Sequence, residues 1–280
     1  MMKISIIIPT YNEKADLEKA IESLGSQTET DFEIIVVDDG STDGTLLILK
    51  NLKKALKNFS FGRKQHGGAG AARNYGASLS HGKILVFVDA DMVFDENFLQ
   101  RLTEPIRKDL AKGTFSKEEY VANWENVWAR CWNINEGWEV KRRHPPNYPG
   151  HQPVFRAILR SEFNKVGGFT PGGYDDDWSL AKKLGYEAVN AEGAVFFHKN
   201  PSSLSEVFKH ARWVGKRKYK MGVIGSIYAI LRASLPVSVV VGTYKSIKNK
   251  TPAFLIFKIF YDLGIFLGIF NFLFTGNTSK

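Results

Sequence analysis

Short apolar runs alternate with longer helical patterns through the first half of the chain. Lys3–Ile8 is almost wholly apolar after its first residue, the pattern of a strand buried on both faces. Pro9 is expected to stop it, and Thr10-Tyr11-Asn12-Glu13 follows as a polar turn. Leu17, Ala20, Ile21 and Leu24 recur at helical spacing, and Gly25 closes that helix. Glu33–Val37 reads as a second buried strand, ending in Asp38-Asp39-Gly40-Ser41-Thr42-Asp43. Ser41 or Thr42 is expected to cap a helix carrying Leu46, Leu49, Leu52 and Leu56. Strand–helix–strand–helix in this order predicts a parallel, right-handed βαβ core, hence an α/β fold.

The pattern then becomes glycine-rich, His66-Gly67-Gly68-Ala69-Gly70-Ala71-Ala72-Arg73-Asn74. No Gly-Lys-Ser/Thr ends it, so it is not a P-loop, and Arg73 stands where a dinucleotide fingerprint needs its third glycine. A small-residue helix packed closely on the sheet is expected. Arg73 is the exception, suited to a phosphate or to a structural ion pair. The run Ile84–Val88 follows and passes straight into Asp89-Ala90-Asp91. Residues two apart in extended chain point the same way, so the two carboxylates aim together beyond a buried strand. They repel unless a cation or a ligand donor stands between them, and the natural client is Mg or Mn. The plainer alternative is a pair of solvated loop acids capping the next helix. Three successive strand ends thus deliver polar groups to one edge, where ligands of open α/β sheets sit.

Trp124, Trp128, Cys131 and Trp132 recur at helical spacing. They predict a helix packed on the sheet, or else an aromatic wall for a ligand. Lys141-Arg142-Arg143-His144 reads as a solvated turn or a contact for a ligand's phosphate. Pro145, Pro146, Pro149 and Gly150 mark a long loop of the kind that serves as a lid. Arg156 and Arg160 follow. Ala194–Phe197 is another apolar strand, ended by His198. The tail changes character. Residues 205–221 combine Val207, Phe208, Ala211 and Val214 with Lys209, Arg212, Lys216, Arg217, Lys218 and Lys220, the pattern of a basic amphipathic helix on anionic lipid. Gly222–Gly242 and Pro252–Phe274 are each long enough to span a bilayer. Both carry internal charge, Arg232 in the first and Lys258 with Asp262 in the second. Two spans would leave Lys245, Lys248 and Lys250 on the far side, against the positive-inside tendency. Helices lying in the interface, or a shallow re-entrant hairpin, are therefore preferred over two spans, and both over a soluble cap.

Charge supports this division. Residues 205–280 hold 12 Lys/Arg against two Asp/Glu, whereas residues 1–204 are nearly neutral. A nucleic-acid domain would spread its cations over a folded face; here they flank apolar runs, so a membrane surface is expected and no nucleic acid. The single cysteine, Cys131, excludes an internal disulfide. The first residues enter a strand pattern at once, so no secretory signal is expected. Two domains are expected, 1–204 and 205–280, working at the cytoplasmic face of a membrane.

Ser5-Ile6-Ile7-Ile8-Pro9-Thr10-Tyr11-Asn12-Glu13, Val36-Val37-Asp38-Asp39-Gly40-Ser41-Thr42-Asp43, Ala72-Arg73-Asn74 and Asp89-Ala90-Asp91 together resemble the family 2 glycosyltransferases of the GT-A fold, in order and spacing, over roughly residues 3–200. The resemblance implies a Rossmann-like, mostly parallel sheet with flanking helices. It also implies a nucleotide-diphospho-sugar donor and an inverting transfer that depends on Mg or Mn. Carried over by position, Pro9, Tyr11 and Glu13 line the nucleotide pocket, and Asp39 reads the base. Arg73 helps hold the nucleotide, Asp89 faces the ribose or donor sugar, and Asp91 binds the metal. The family usually takes its base from a Glu-Asp pair after Gly-Gly-Phe; here Gly167-Gly168-Phe169 leads to Asp175-Asp176-Asp177. Asp176 is taken as the base, with Asp175 and Asp177 as alternates, against the plainer reading of acids at a helix start. His198 is the candidate third metal ligand or a structural histidine. Lys209-His210-Ala211-Arg212-Trp213 is faintly similar to the Gln/Arg-x-x-Arg-Trp element of processive synthases, but its first residue does not support processivity. The acceptor expected is a lipid-linked or polysaccharide glycan, as in cell-envelope synthesis, and the basic apolar tail is the reason to prefer a lipid-phase one. Two rivals remain. A metal-dependent nucleotidyl- or phosphotransferase would release pyrophosphate or transfer phosphate, and a membrane-tethered nucleotide-sugar-binding protein would consume no donor.

Overall fold

The computed structural model describes residues 3–171, 176–217 and 219–276. Its internal contacts divide the chain into two compact units, Met1–Tyr120 with Asn147–His198, and Val121–Pro146 with Lys199–Lys280. Packing therefore does not follow a linear cut after residue 204, because residues 121–146 join the tail.

The first unit is built from β1 (Ile4–Thr10), α1 (Leu17–Gly25), β2 (Phe32–Asp38), α2 (Thr45–Ala55), β3 (Phe59–Arg63), α3 (Ala69–Leu79), β4 (Ile84–Phe87), β5 (Met92–Phe94), α4 (Phe98–Arg107), β6 (Gly113–Phe115) and β7 (Glu119–Val121). After α5 (Val127–Glu136), which belongs to the second unit, it resumes with β8 (His151–Gln152), β9 (Ala157–Leu159), α6 (Arg160–Lys165), α7 (Ser179–Leu184), β10 (Ala188–Asn190) and β11 (Phe196–His198). The main sheet has the order β3-β2-β1-β4-β9-β6-β10-β8, and β5-β11-β7 form a small second sheet. From β3 to β4 all pairings are parallel, as the βαβ pattern predicts. Beyond β4 the sheet is mixed, because β9 runs antiparallel to both β4 and β6.

Period-2 alternation sorts β1 between two cores. Ile4, Ile6 and Ile8 pack with Leu17, Leu24, Phe98 and Leu102 on one face. Ile7 packs with Leu85, Phe87, Phe163 and Phe169 on the other. Each such side chain contributes roughly 1.5–3 kcal/mol by leaving water. The small residues of α3 let it sit close to the sheet: a Cβ on Gly76 would lie 2.5 Å from Cγ2 of Ile7. Pro9 does not stop β1, which continues to Thr10 in register with β2. The pairing with β4 ends at Ile7, so Pro9 has a strand on one side, and its missing N–H breaks no ladder. The cap of α2 also differs from expectation. Neither Ser41 nor Thr42 caps it; Gly44 at φ 96° precedes the helix, and Oδ1 of Asp43 accepts from the Thr45 N–H at 3.0 Å.

The second unit holds α5, α8 (Leu204–Gly215), α9 (Gly222–Arg232), α10 (Leu235–Lys248) and α11 (Ala253–Thr275). The tryptophan helix α5 is packed on α8 and α11 rather than on the sheet, in a cluster of Cys131, Trp132, Val207, Phe254 and Phe257. Asn126 starts it, its Oδ1 accepting from the Trp128 and Ala129 N–H groups, so Trp124 lies before the helix. The expected single helix over 222–242 is broken instead. α9 and α10 meet at 60°, with Ser234 extended and Pro236 in the first turn of α10. Proline cannot donate to the carbonyl one turn back, so the first helix ends before it. Among the described residues, α11 is long and apolar enough to cross a membrane, and the bent α9–α10 pair passes the same test if taken as one span.

Candidate active site

Arg73, on α3, is the hub of a charged cluster inside the first unit. Its Nη2 donates to Oδ1 of Asp89 at 2.8 Å, and its Nη1 pairs with Asp177. Arg156, just before β9, donates to the other Asp89 oxygen at 3.3 Å. Burial works against ionisation of Asp89, but Arg73, then Arg156 and His198, hold its carboxyl well below the usual range. Burial likewise opposes the charge on Arg73, and Asp177 and Asp89 restore it, raising its pKa above the ordinary guanidinium value. Both readings of Arg73 are thus open in one place: it makes structural ion pairs, and those pairs tie the end of β4 to the acidic loop.

The glycine-rich turn has a definite task. Asp39 is buried beyond β2, and its carboxylate accepts from Lys64 Nζ at 2.8 Å, from the Gly67 N–H at 3.0 Å and from the Gly68 N–H at 2.8 Å. His66 stacks beside this nest, its ring 4.4 Å from that of Tyr11. Asp38 is a structural neighbour, accepting from the Ser41 N–H and pairing with Arg63. The polar turn after β1 is stitched to the loop after β2: Oδ1 of Asn12 accepts from the Thr42 N–H at 2.8 Å, and Asn12 takes φ 58° to do so. Pro9, near the end of β1, and Glu13, on that turn, flank Tyr11, which is 37% exposed.

Asp91 and His198 meet. Antiparallel pairing of β11 with β5 sets His198 opposite Met92, and His198 Nε2 lies 3.2 Å from Oδ2 of Asp91. Glu119 takes the other ring nitrogen at 2.7 Å. Both carboxylates accept from the ring in this arrangement; a divalent ion bound at Nε2 would use that nitrogen's lone pair, with Glu119 keeping the proton on Nδ1. Among the described residues no three His, Cys, Asp or Glu side chains form a ready metal cage. Mg and Mn suit a sparser arrangement, one or two side chains completed by substrate phosphates. Adjacent ligands of an octahedral ion lie about 3 Å apart at bond lengths near 2.1 Å, so the Asp91–His198 spacing fits such an ion.

Of the acidic triplet, Asp175 lies outside the described residues. Asp176 is 5% exposed, and its Oδ2 accepts from the Gly70 N–H at 2.9 Å. A Cβ on Gly70 would stand 2.7 Å from that oxygen, so any side chain there must displace the carboxylate. The Asp177 side chain is 43% exposed beside Arg73.

The glycosyl transferase family 2 profile matches residues 5–167, from β1 to the Gly-Gly-Phe turn. The chain belongs to glycosyl transferase family 2. A relative within the family, the uncharacterized glycosyltransferase EpsJ of Bacillus subtilis, is 38% identical over 222 residues, covering 73% of this chain and 63% of EpsJ. The chain spans about a third or less of several other curated relatives, 14% and 32% of their lengths in two cases. Solved GT-A structures share the fold. The mannosyltransferase PcManGT of Pyrobaculum calidifontis, in complex with GDP-Man and Mn2+, superposes with a TM-score of 0.59 at 18% identity over 94% of this chain and 87% of its own. TarS 1-349 of S. aureus, in complex with UDP-GlcNAc, gives 0.59 at 16% over 99% of this chain and 93% of its own.

Relative to the family motifs, three roles emerge from the structure alone. Arg156 grips Asp89, Glu119 orients His198, and Lys64 neutralises Asp39. Each lies on a short strand or turn that carries no periodic signal. Arg160, in contrast, is structural: it donates to Gly82 O at 2.6 Å, to Ala77 O at 3.1 Å and to Ser80 Oγ at 2.7 Å. The basic turn at 141–144 is held within the second unit, where Arg143 donates to Lys199 O and stacks on Trp138.

Proposed function

We propose that this chain is an inverting glycosyltransferase that moves one sugar from a nucleotide-diphospho-sugar to a lipid-linked or glycan acceptor, with Mg or Mn, at the cytoplasmic face of a membrane. The observation that carries the proposal is the Arg73 bridge, which brings the Asp-Ala-Asp strand end and the acidic loop into one site. Known nucleotide-sugar complexes of GT-A neighbours support the donor class.

Tyr11 and Asp39 flank the nucleotide, Pro9 and Glu13 shape its pocket, and Asp89, fixed by two arginines, receives hydroxyls of the ribose or sugar. Asp91 and His198 would hold the metal. When bound, the ion stabilises charge developing on the diphosphate. The acceptor hydroxyl gives its proton to a carboxylate, its oxygen bonds the anomeric carbon, and the sugar–phosphate bond breaks from the opposite face with its electron pair. A base must touch the acceptor. Asp177 is the better exposed of the two described acids, so it takes the role first expected of Asp176, which instead fixes the loop to the start of α3.

The test is nucleoside diphosphate release from UDP-, GDP- and dTDP-sugars in the presence of membrane lipid extract and Mg or Mn. Release with one donor, abolished in Asp91→Asn and Asp177→Asn, is expected. Release of pyrophosphate, or tight donor binding without consumption, would overturn the proposal.

A further inference from the structure

α11 passes a length-and-composition test for a membrane span, about 34 Å of apolar helix. Its packing says otherwise. α8 and α11 cross at small residues, Ala211 and Gly215 on one helix and Gly264 and Gly268 on the other. A Cβ on Gly264 would lie 2.7 Å from Phe208 O, and one on Gly268 2.2 Å from Arg212 O. The contact therefore falls at the midpoint of α11. The opposite face of α8 is polar and exposed, with Glu206, Lys209 and Arg212. Were α11 upright in a bilayer, these charges would stand at the depth of the hydrocarbon core, where Lys and Arg are strongly disfavoured.

A second observation concerns what α11 leaves uncovered. Ile256, Phe260, Leu263, Leu267, Phe270 and Phe274 are all exposed, at alternating spacings of four and three along its whole length. One stripe of the helix is thus unpartnered while its other side is clasped by α8 and α10. α9 and α10 add exposed apolar residues, among them Ile224, Leu231, Val240 and Ile247. At about 16 and 21 Å, and bent by 60°, neither of these helices crosses a hydrocarbon core of roughly 30 Å by itself. The buried carboxylate of α11 is satisfied internally, Asp262 accepting from Ser238 Oγ and Lys258 Nζ, both at 2.7 Å.

We infer that α11 does not span: it lies in the plane of one leaflet, its Ile256–Phe274 stripe in the acyl region and α8, packed on its other side, toward the headgroups and water. The inference rests on the membrane-association part of the proposed function and refines it. The occupant is lipid rather than a second copy, because residues 205–280, which carry the stripe, hold 12 Lys/Arg against two Asp/Glu, an excess that anionic lipid attracts and that sets two copies against each other.

Two variants of the full chain, each adding one cysteine, decide it, Asn249→Cys before α11 and Thr275→Cys at its end. Both are read with a membrane-impermeant maleimide in sealed right-side-out and inverted membrane vesicles. Native Cys131 is buried and serves as the unlabelled background. An in-plane helix labels both positions in the same vesicle orientation. Labelling in opposite orientations would overturn the inference while leaving membrane association intact. Protein absent from membranes would overturn both, and nucleoside diphosphate release would still report the transferase independently. In parallel, flotation with phosphatidylglycerol-containing vesicles is expected to exceed that with neutral ones and to fall about tenfold in Leu263→Lys. Dimer formation without flotation would assign the stripe to a second copy and overturn the inference.

Discussion

Arg73 and Asp89 are joined at 2.8 Å, and the same guanidinium holds Asp177 through its other terminal nitrogen. A planar fork can serve two carboxylates at once; an ammonium on a flexible stem cannot hold both in fixed directions. Arg73→Lys is therefore expected to keep the fold and lose activity by about 10²-fold or more, the scale of a lost preorganised contact. A turnover assay beside a thermal melt checks this. An unchanged rate would show that the bridge does not organise the site.

Glu119 acts on the metal site through His198. Removing its charge while keeping its shape, in Glu119→Gln, should free the imidazole to adopt either tautomer. Mn affinity, read by paramagnetic line broadening or calorimetry with nucleotide present, is expected to fall about 10–100-fold. Equal affinity in the variant would mean that His198 is not a ligand.

Gly70 is placed against a carboxylate. In Gly70→Ala the added methyl meets Oδ2 of Asp176, and the acidic loop must move away from α3. Ala is otherwise the better helix former by up to about 1 kcal/mol. Lower activity with an undiminished melting temperature is the expected combination. A variant as active as the parent would show that the loop position is not critical.

Acid stability should carry a signature of Glu29. Burial raises its pKa, but the Asp31 N–H and Arg107, at 2.5 Å, outweigh it and leave the folded value below the ordinary 4.5. The unfolded chain then binds the proton more readily, so the contribution is complete above the unfolded pKa and is lost as pH falls through the folded one. Denaturant titrations between pH 6 and 3, as a range of about three units, should show a shallower acid slope for Glu29→Gln than for the parent. Parallel slopes would dismiss the pair as an acid-side contributor.

Within the parallel half of the sheet, β1, β2 and β4 were legible because they are short, largely apolar and followed by polar turns, whereas β3 was not. Nor was the other half. β6, β8, β9 and β10 are two or three residues long, and register with neighbours, rather than their own pattern, makes them strands. The same difference separates Asp39, Arg73, Asp89 and Asp91, which sit at ends of clear elements, from Arg156 and Glu119, which do not. α5 shows a different failure. Its tryptophans carry a helical period but no address, and the sheet and the tail helices offer equally apolar partners. The break before α10 could have been read from Pro236, since a proline one turn into a helix withholds its amide from the carbonyl behind.

Because residues 121–146 fold with residues 199–280, the second unit cannot be removed by shortening the chain from its carboxyl end. A truncation after residue 204 would strip Val207, Phe254 and Phe257 from Cys131 and Trp132 and leave the inner face of α5 bare. Such a fragment would carry its own sticky patch. Preparations meant to gain solubility by trimming the greasy tail should aggregate through the helix left behind, unless the insertion between Tyr120 and Asn147 is shortened with it.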